Sequence, residues 1–203
     1  MAQSACEFLL KKDIASNCDE PIVPGFEQEG VIINRKDIDF ATSAFNSTRK
    51  NVLETLALKA LKKGYRIQCL GNHPFEGTNT AMVVGKYRNS FNNTVAFVVL
   101  DDGPDVRADI IDGLANGEFV VILENKFKGM EKTNKGDSAF QVYGWFQGLK
   151  ASEMADGKYS EETDGGWAVT LQEQKAPKSG IYLWNTSYDA TATAVKTLTN
   201  DPG

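Results

Sequence analysis

Chemistry at neutral pH usually begins with a histidine, and this chain of 203 residues has one, His73, followed by Pro74 in a polar stretch. A nucleophile–base–acid arrangement would have to use it, yet no G-x-S-x-G elbow and no catalytic-cysteine signature accompanies it. His73 is read as a loop histidine making ordinary hydrogen bonds. The three cysteines, Cys6, Cys18 and Cys69, lack C-x-x-C spacing, so neither a zinc site nor a disulfide framework is indicated. Free thiols of a reducing compartment are the simpler reading, with a Cys6–Cys18 bridge left open. Gly71 and Gly77 are not followed by Lys-Ser or Lys-Thr, so no glycine loop cradles a phosphate.

Carboxylates gather at Asp37/Asp39, at Asp101/Asp102/Asp105 and at Asp156/Glu161/Glu162/Asp164. None has the alternating oxygen ligands, mid-loop glycine and distal glutamate of a calcium loop. The first pair reads as a strand end and the second group as the acidic start of a helix; the third is left as a weak calcium candidate. Glycosidase carboxylates need a tertiary separation of roughly 5–9 Å, which spacing alone does not define, and no sugar-stacking run accompanies these. No cofactor and no metal is expected. A full core without convergent polar groups suits a building block better than a catalyst, and no enzyme activity is expected.

Charge supports the same direction. Acids outnumber bases 27 to 22, for a net charge of -5, opposite to the balance of free nucleic-acid binders. Arg49, Lys50, Lys59, Lys62, Lys63 and Arg66 cluster, but only Tyr65 is interleaved with them, so a solvated face is preferred to a nucleic-acid groove. Asn46-Ser47-Thr48, Asn92-Asn93-Thr94 and Asn185-Thr186-Ser187 fit the glycosylation acceptor; with no secretory signal in Met1 to Leu10 they are read as turn chemistry. The apolar runs Val95 to Leu100 and Phe119 to Leu123 are far short of a membrane helix.

The elements follow from pattern. A chain of this length suits one domain, or one with an extension, hiding roughly 70% of its unfolded surface. Residues 1–28 read as an N-terminal arm, 29–187 as the domain and 188–203 as a loose C-terminal tail. Strands are expected at 31–34, 81–84, 94–100, 118–125, 140–143, 167–171 and 181–184. Residues 52–70 are ambiguous between a helix ending at Gly64 and a hairpin turning at Lys63-Gly64. One helix, about 104–117, has Pro104 in its first turn, a stripe of Val106, Ile110, Ile111 and Leu114, and a left-handed stop at Asn116-Gly117. Many strands around one helix, without βα alternation or internal repeat, predict a mainly β fold: a β-sandwich or barrel with one packed α-helix.

Several segments together resemble a bacteriophage tail-tube-like virion protein: Gly-Val-Ile-Ile-Asn at 30–34, Leu56-Ala-Leu with Lys63-Gly64-Tyr65, the helix from Pro104 to Gly117, and Phe140-Gln-Val-Tyr-Gly with Gly148-Leu149. The resemblance covers about two thirds of the chain and favours the hairpin for 52–70. It implies homo-hexameric rings that stack into a conduit, with copies of the chain and other virion proteins as partners and DNA passing without specific binding. It also implies assembly in the bacterial host cytoplasm and no membrane. Another virion role (capsid-associated, head–tail connector or decoration) and a ligand-binding β-sandwich module are the alternatives. The glycine- and lysine-rich loop 126–137 is expected to order on assembly against a neighbouring ring, through Lys126, Phe127, Lys128, Gly129, Met130, Lys132 and Lys135. Trp145 and Phe146, beside Gly144 and Gly148, are expected either at a subunit contact or as a plug between sheets.

Overall fold

The computed structural model describes residues 10–15, 18, 21–129 and 136–200. Its strands are β1 (Phe26–Asn34), β2 (Ala44–Phe45), β3 (Val52–Thr55), β4 (Tyr65–Gln68), β5 (Asn79–Val83), β6 (Ser90–Val99), β7 (Phe119–Asn125), β8 (Phe140–Tyr143), β9 (Lys150–Asp156), β10 (Trp167–Ala176) and β11 (Ile181–Leu183). Helix α1 (Pro104–Val106) runs through a π-helical turn (Arg107–Ile111) into α2 (Asp112–Asn116), and α3 (Tyr188–Thr197) follows the last strand. A seven-stranded sheet has the order β2-β3-β11-β8-β7-β1-β4 and a four-stranded sheet the order β5-β6-β10-β9. All their pairings are antiparallel except that of β11 with β3. The mainly β architecture is thus two open sheets and not a closed barrel.

The apolar block at β7 explains the layering. Side chains alternate across a strand, so Phe119, Val121 and Leu123 join Ile32, Val95, Phe97, Val169 and Leu171 between the two sheets. Val120 and Ile122 point the other way, into a second core with Ile33, Leu53, Ile181, Leu183 and Val195 of α3. A central strand buried on both faces needs an unbroken apolar run. At about 1.5–3 kcal/mol per buried side chain, these five residues contribute on the order of 10 kcal/mol.

Several sequence expectations are corrected. Residues 52–70 are neither helix nor hairpin: β3 lies near one edge of the large sheet and β4 forms the other. The link between them crosses the sheet face, with Leu56 and Leu58 packed on the second core and Ile38 bridged to Leu58. Both local periodicities fail because the partners of each strand lie elsewhere in the chain. Gly117 is extended (φ -91°, ψ 173°), not left-handed. A glycine is needed there for space, since a Cβ would lie 2.2 Å from the Phe119 ring. Of the helical stripe, Ile111 and Leu114 are buried, Val106 is half-buried and Ile110 is exposed. The i→i+5 turn inserts one residue relative to α spacing, so Ile111 takes the inward position and Ile110 turns out.

The tail expected to be loose is helical through Thr197, capped by Ser187, whose side chain accepts from the Ala190 N–H (3.2 Å). Strand β9 has little apolar signal because it is an exposed edge. Strand β6 begins at Ser90, through asparagines read as a turn. Of residues 1–28, those at 10–15, 18 and 21–28 are described, and β1 starts within them at Phe26.

Candidate functional site

Two features of opposite shape sit at the two ends of β6. Beyond its start, β5 and β6 pair from Asn79–Thr94 to Val83–Ser90 and continue into a turn at residues 84–89. Residues 81–89 are all exposed, and Met82, Val83, Val84 and Tyr87 are 58%, 38%, 78% and 93% accessible. Gly85 N–H donates to Asn89 Oδ1 (3.4 Å), and the Lys86 ammonium lies 5.4 Å from the Tyr87 ring centre. Lys86 and Arg88 are the only charged residues of the turn. This is an apolar, basic tip.

At the far end of β6 the two sheets part, leaving an open groove of about 630 Å³ between β4, the end of β6 and the helical segment. Ile67, Phe97, Leu114 and Phe119 form its buried floor, and Tyr65, Leu70, Leu100 and Ile110 its exposed lip. Asp101, Asp109 and Arg66 are its charged residues. The π-helical turn places Ile110 and Asp109 on this lip. Among the described residues, no ion pair engages Asp105, Asp109 or Asp112, whereas Asp102 is fully used. Asp102 accepts from Arg107 (2.8 and 3.2 Å) and from Lys158, which hold its carboxyl well below the usual carboxylate range. Arg107 also reaches Asp156 (2.7 Å) and lies 5.0 Å over the Trp167 ring. This network ties the helical segment to the small sheet and so fixes the groove's outer wall.

The residues singled out by sequence are placed differently. Trp145 is buried against Phe40 and Phe45 (ring centres 5.0 and 5.7 Å away). Trp145 is thus buried, but in the second core on the outer side of the large sheet and not between the two sheets; Phe146 is half-buried beside it. Both lie in a turn organised by Glu173, a carboxylate only 1% exposed. It accepts from Asn93 Nδ2 (2.8 Å) and from the backbone N–H groups of Gly144 (3.2 Å), Phe146 (2.8 Å) and Gln147 (2.7 Å). A buried charge satisfied by four donors orders a turn. The sequence signal for it was there: in Val169, Leu171, Glu173 the inward alternation simply continues.

Of loop 126–137, Lys126 is exposed, Phe127 and Lys128 half-buried and Gly129 buried. Lys128 bonds Glu27 (3.2 Å), Glu124 (2.5 Å) and the Asn125 carbonyl (2.6 Å). Met130, Lys132 and Lys135 lie outside the described residues. Neither Trp145 nor the Lys126–Gly129 stretch lines the groove.

His73 is exposed, and no cluster of three His, Cys, Asp or Glu side chains suited to a metal occurs among the described residues. Cys69 is a buried free thiol and Cys18 an exposed one. Asp39 closes a turn, accepting from Thr42 Oγ1 (2.7 Å) and the Ala41 N–H (3.0 Å). Asn46 likewise accepts from the N–H groups of Thr48 and Arg49 (2.9 and 2.6 Å). The site at Asn46 is thus turn chemistry and the site at 185–187 supplies the Ser187 cap, whereas Asn92 lies in β6, where its Oδ1 accepts from the Lys175 N–H (3.1 Å). No described helix is long and apolar enough to cross a membrane. Comparison with protein-family models, with curated proteins and with solved structures finds no match to the chain.

Proposed function

We propose that the chain is a virion structural protein, a tail-tube-like subunit that assembles with copies of itself into stacked rings around a DNA conduit. The observation that carries the reading is the uncovered tip at residues 82–87, where three aliphatic side chains and a tyrosine stand in solvent on a projecting hairpin. Apolar groups concentrated in this way mark interaction surfaces. The outer strands β4 and β5 also leave unpaired backbone edges, a liability in a solitary domain and a joint in an assembly. The net charge of -5 suits passage of DNA without capture, since like charge keeps phosphate from binding. Ring number and the virion setting come from the resemblance alone.

The groove favours a second reading, a β-sandwich module that takes a small apolar ligand. Size-exclusion chromatography with light scattering, followed by negative-stain microscopy of the peak, separates the two. Rings, tubes or a defined oligomer support self-assembly. A strictly monomeric species at high concentration, with saturable uptake of an apolar fluorophore, supports the module.

A further inference from the structure

We infer that the hairpin tip of one copy seats in the groove of the next, a head-to-tail contact that rests on the self-assembly reading and names its joint. Three observations converge on it. The first is shape: the tip projects Met82, Val83, Val84 and Tyr87, and the groove offers about 630 Å³ over an apolar floor. The second is charge. The tip carries Lys86 and Arg88 and no acid, while the groove's helical wall presents Asp109, which makes no ion pair among the described residues. Asp101 adds a further carboxylate at the mouth, and Arg66 is the one opposing charge.

The third is placement. Tip and groove lie at opposite ends of one ten-residue strand, about 30 Å apart at roughly 3.4 Å per residue. A copy cannot fill its own groove, but each copy presents one knob and one socket. Such a contact is heterologous: it closes into a ring if the rotation between copies permits and otherwise propagates as a fibre. Apolar burial supplies the adhesion, and the basic tip facing an acidic wall sets orientation and speeds encounter. The contact therefore weakens as salt rises.

The test uses two full-length variants, each altering one exposed surface. K86E/R88E reverses the tip, and I110R obstructs the groove from a side chain already 41% exposed. Circular dichroism melts first establish that both fold as the wild type does. Each variant alone should raise the concentration needed for assembly at least about tenfold, as expected for losing complementary charge or burial at a joint. Mixed one to one, they should form a heterodimer and nothing larger, because the pair retains one working tip and one working groove. Assembly of either variant at the wild-type concentration overturns the inference while leaving self-assembly intact. So does a mixture that stays monomeric while the wild type assembles. A wild type that never assembles removes the self-assembly reading itself, and this joint with it.

Discussion

Replacing Glu173 with alanine tests the most consequential polar contact in the core. The carboxylate is fully buried and accepts four hydrogen bonds. Two of the donors, Asn93 Nδ2 and the Gly144 N–H, belong to buried residues; the other two belong to half-buried Phe146 and exposed Gln147, where water can substitute. Each orphaned buried donor costs about 1–3 kcal/mol, and loss of a buried charged network's centre costs about 3–5 kcal/mol. Glu173→Ala should therefore lower the unfolding free energy by about 3–5 kcal/mol, a large share of the roughly 5–15 kcal/mol of an ordinary domain. Glu173→Gln should cost less, about 1–3 kcal/mol. Its carbonyl keeps Phe146 and Gln147, but its amide nitrogen faces both the Gly144 N–H and Asn93 Nδ2 as donor against donor. Urea unfolding followed by tryptophan fluorescence reads both variants, with an unchanged slope confirming two-state behaviour. A loss below about 1 kcal/mol for the alanine variant would refute the claim that this carboxylate orders the Trp145 turn.

Two further outcomes follow from the same packing. Gly113 lies in α2 with no heavy atom within 4 Å of where a Cβ would sit, whereas Gly144 has φ +83° and its Cβ would lie 2.4 Å from the Phe119 carbonyl oxygen. Gly113→Ala should stabilise by about 0.5–1 kcal/mol through helix propensity, and Gly144→Ala should destabilise by more than about 2 kcal/mol through strain and overlap; thermal melts giving the two the same sign would contradict this geometry. Tyr188, while its phenol is protonated, donates to Glu124 Oε1 (2.6 Å). That bond, then burial, then the charges of Glu124, Glu27 and Asp189, push its phenol from 10.0 up to about 12. Because the folded value is the higher one, the stabilisation is complete below pH 10 and is lost as pH rises from 10 towards 12. Tyr188→Phe should flatten that alkaline decline, leaving the part due to Tyr143 and Tyr182, whose phenols burial also raises; an unchanged decline would show that the bond is not made in solution.

Some of the architecture was legible from the residues, and the successes share a cause. The apolar run at Phe119–Leu123, the β-branched group at Val31–Ile33 and the proline-led helix declare themselves because each pattern reports its own burial. Pattern fails where the partner is remote. Val52–Thr55 and Tyr65–Gln68 are strands, yet nothing local says they belong at opposite ends of one sheet. Likewise, Trp145 beside two glycines reads equally as surface or core until Phe40 and Phe45 arrive to cover it. Glu173 could have been found by carrying the alternation two residues further; the groove could not, because β4, β6 and the helical segment meet there only in three dimensions.

Residue pattern and composition were enough for a mainly β chain with a mostly buried strand at 118–125, a net negative charge and a helix after Pro104. Those follow from side-chain hydrophobicity, backbone preference and charge, properties that each residue carries into any fold. Tertiary structure alone decided that the two sheets part at one end, that the π-turn rotates Ile110 outward to line the opening, and that an apolar hairpin projects from the other end. Sheet order and strand twist bring such features together or hold them apart, and pairing between distant segments is a property of the folded chain as a whole.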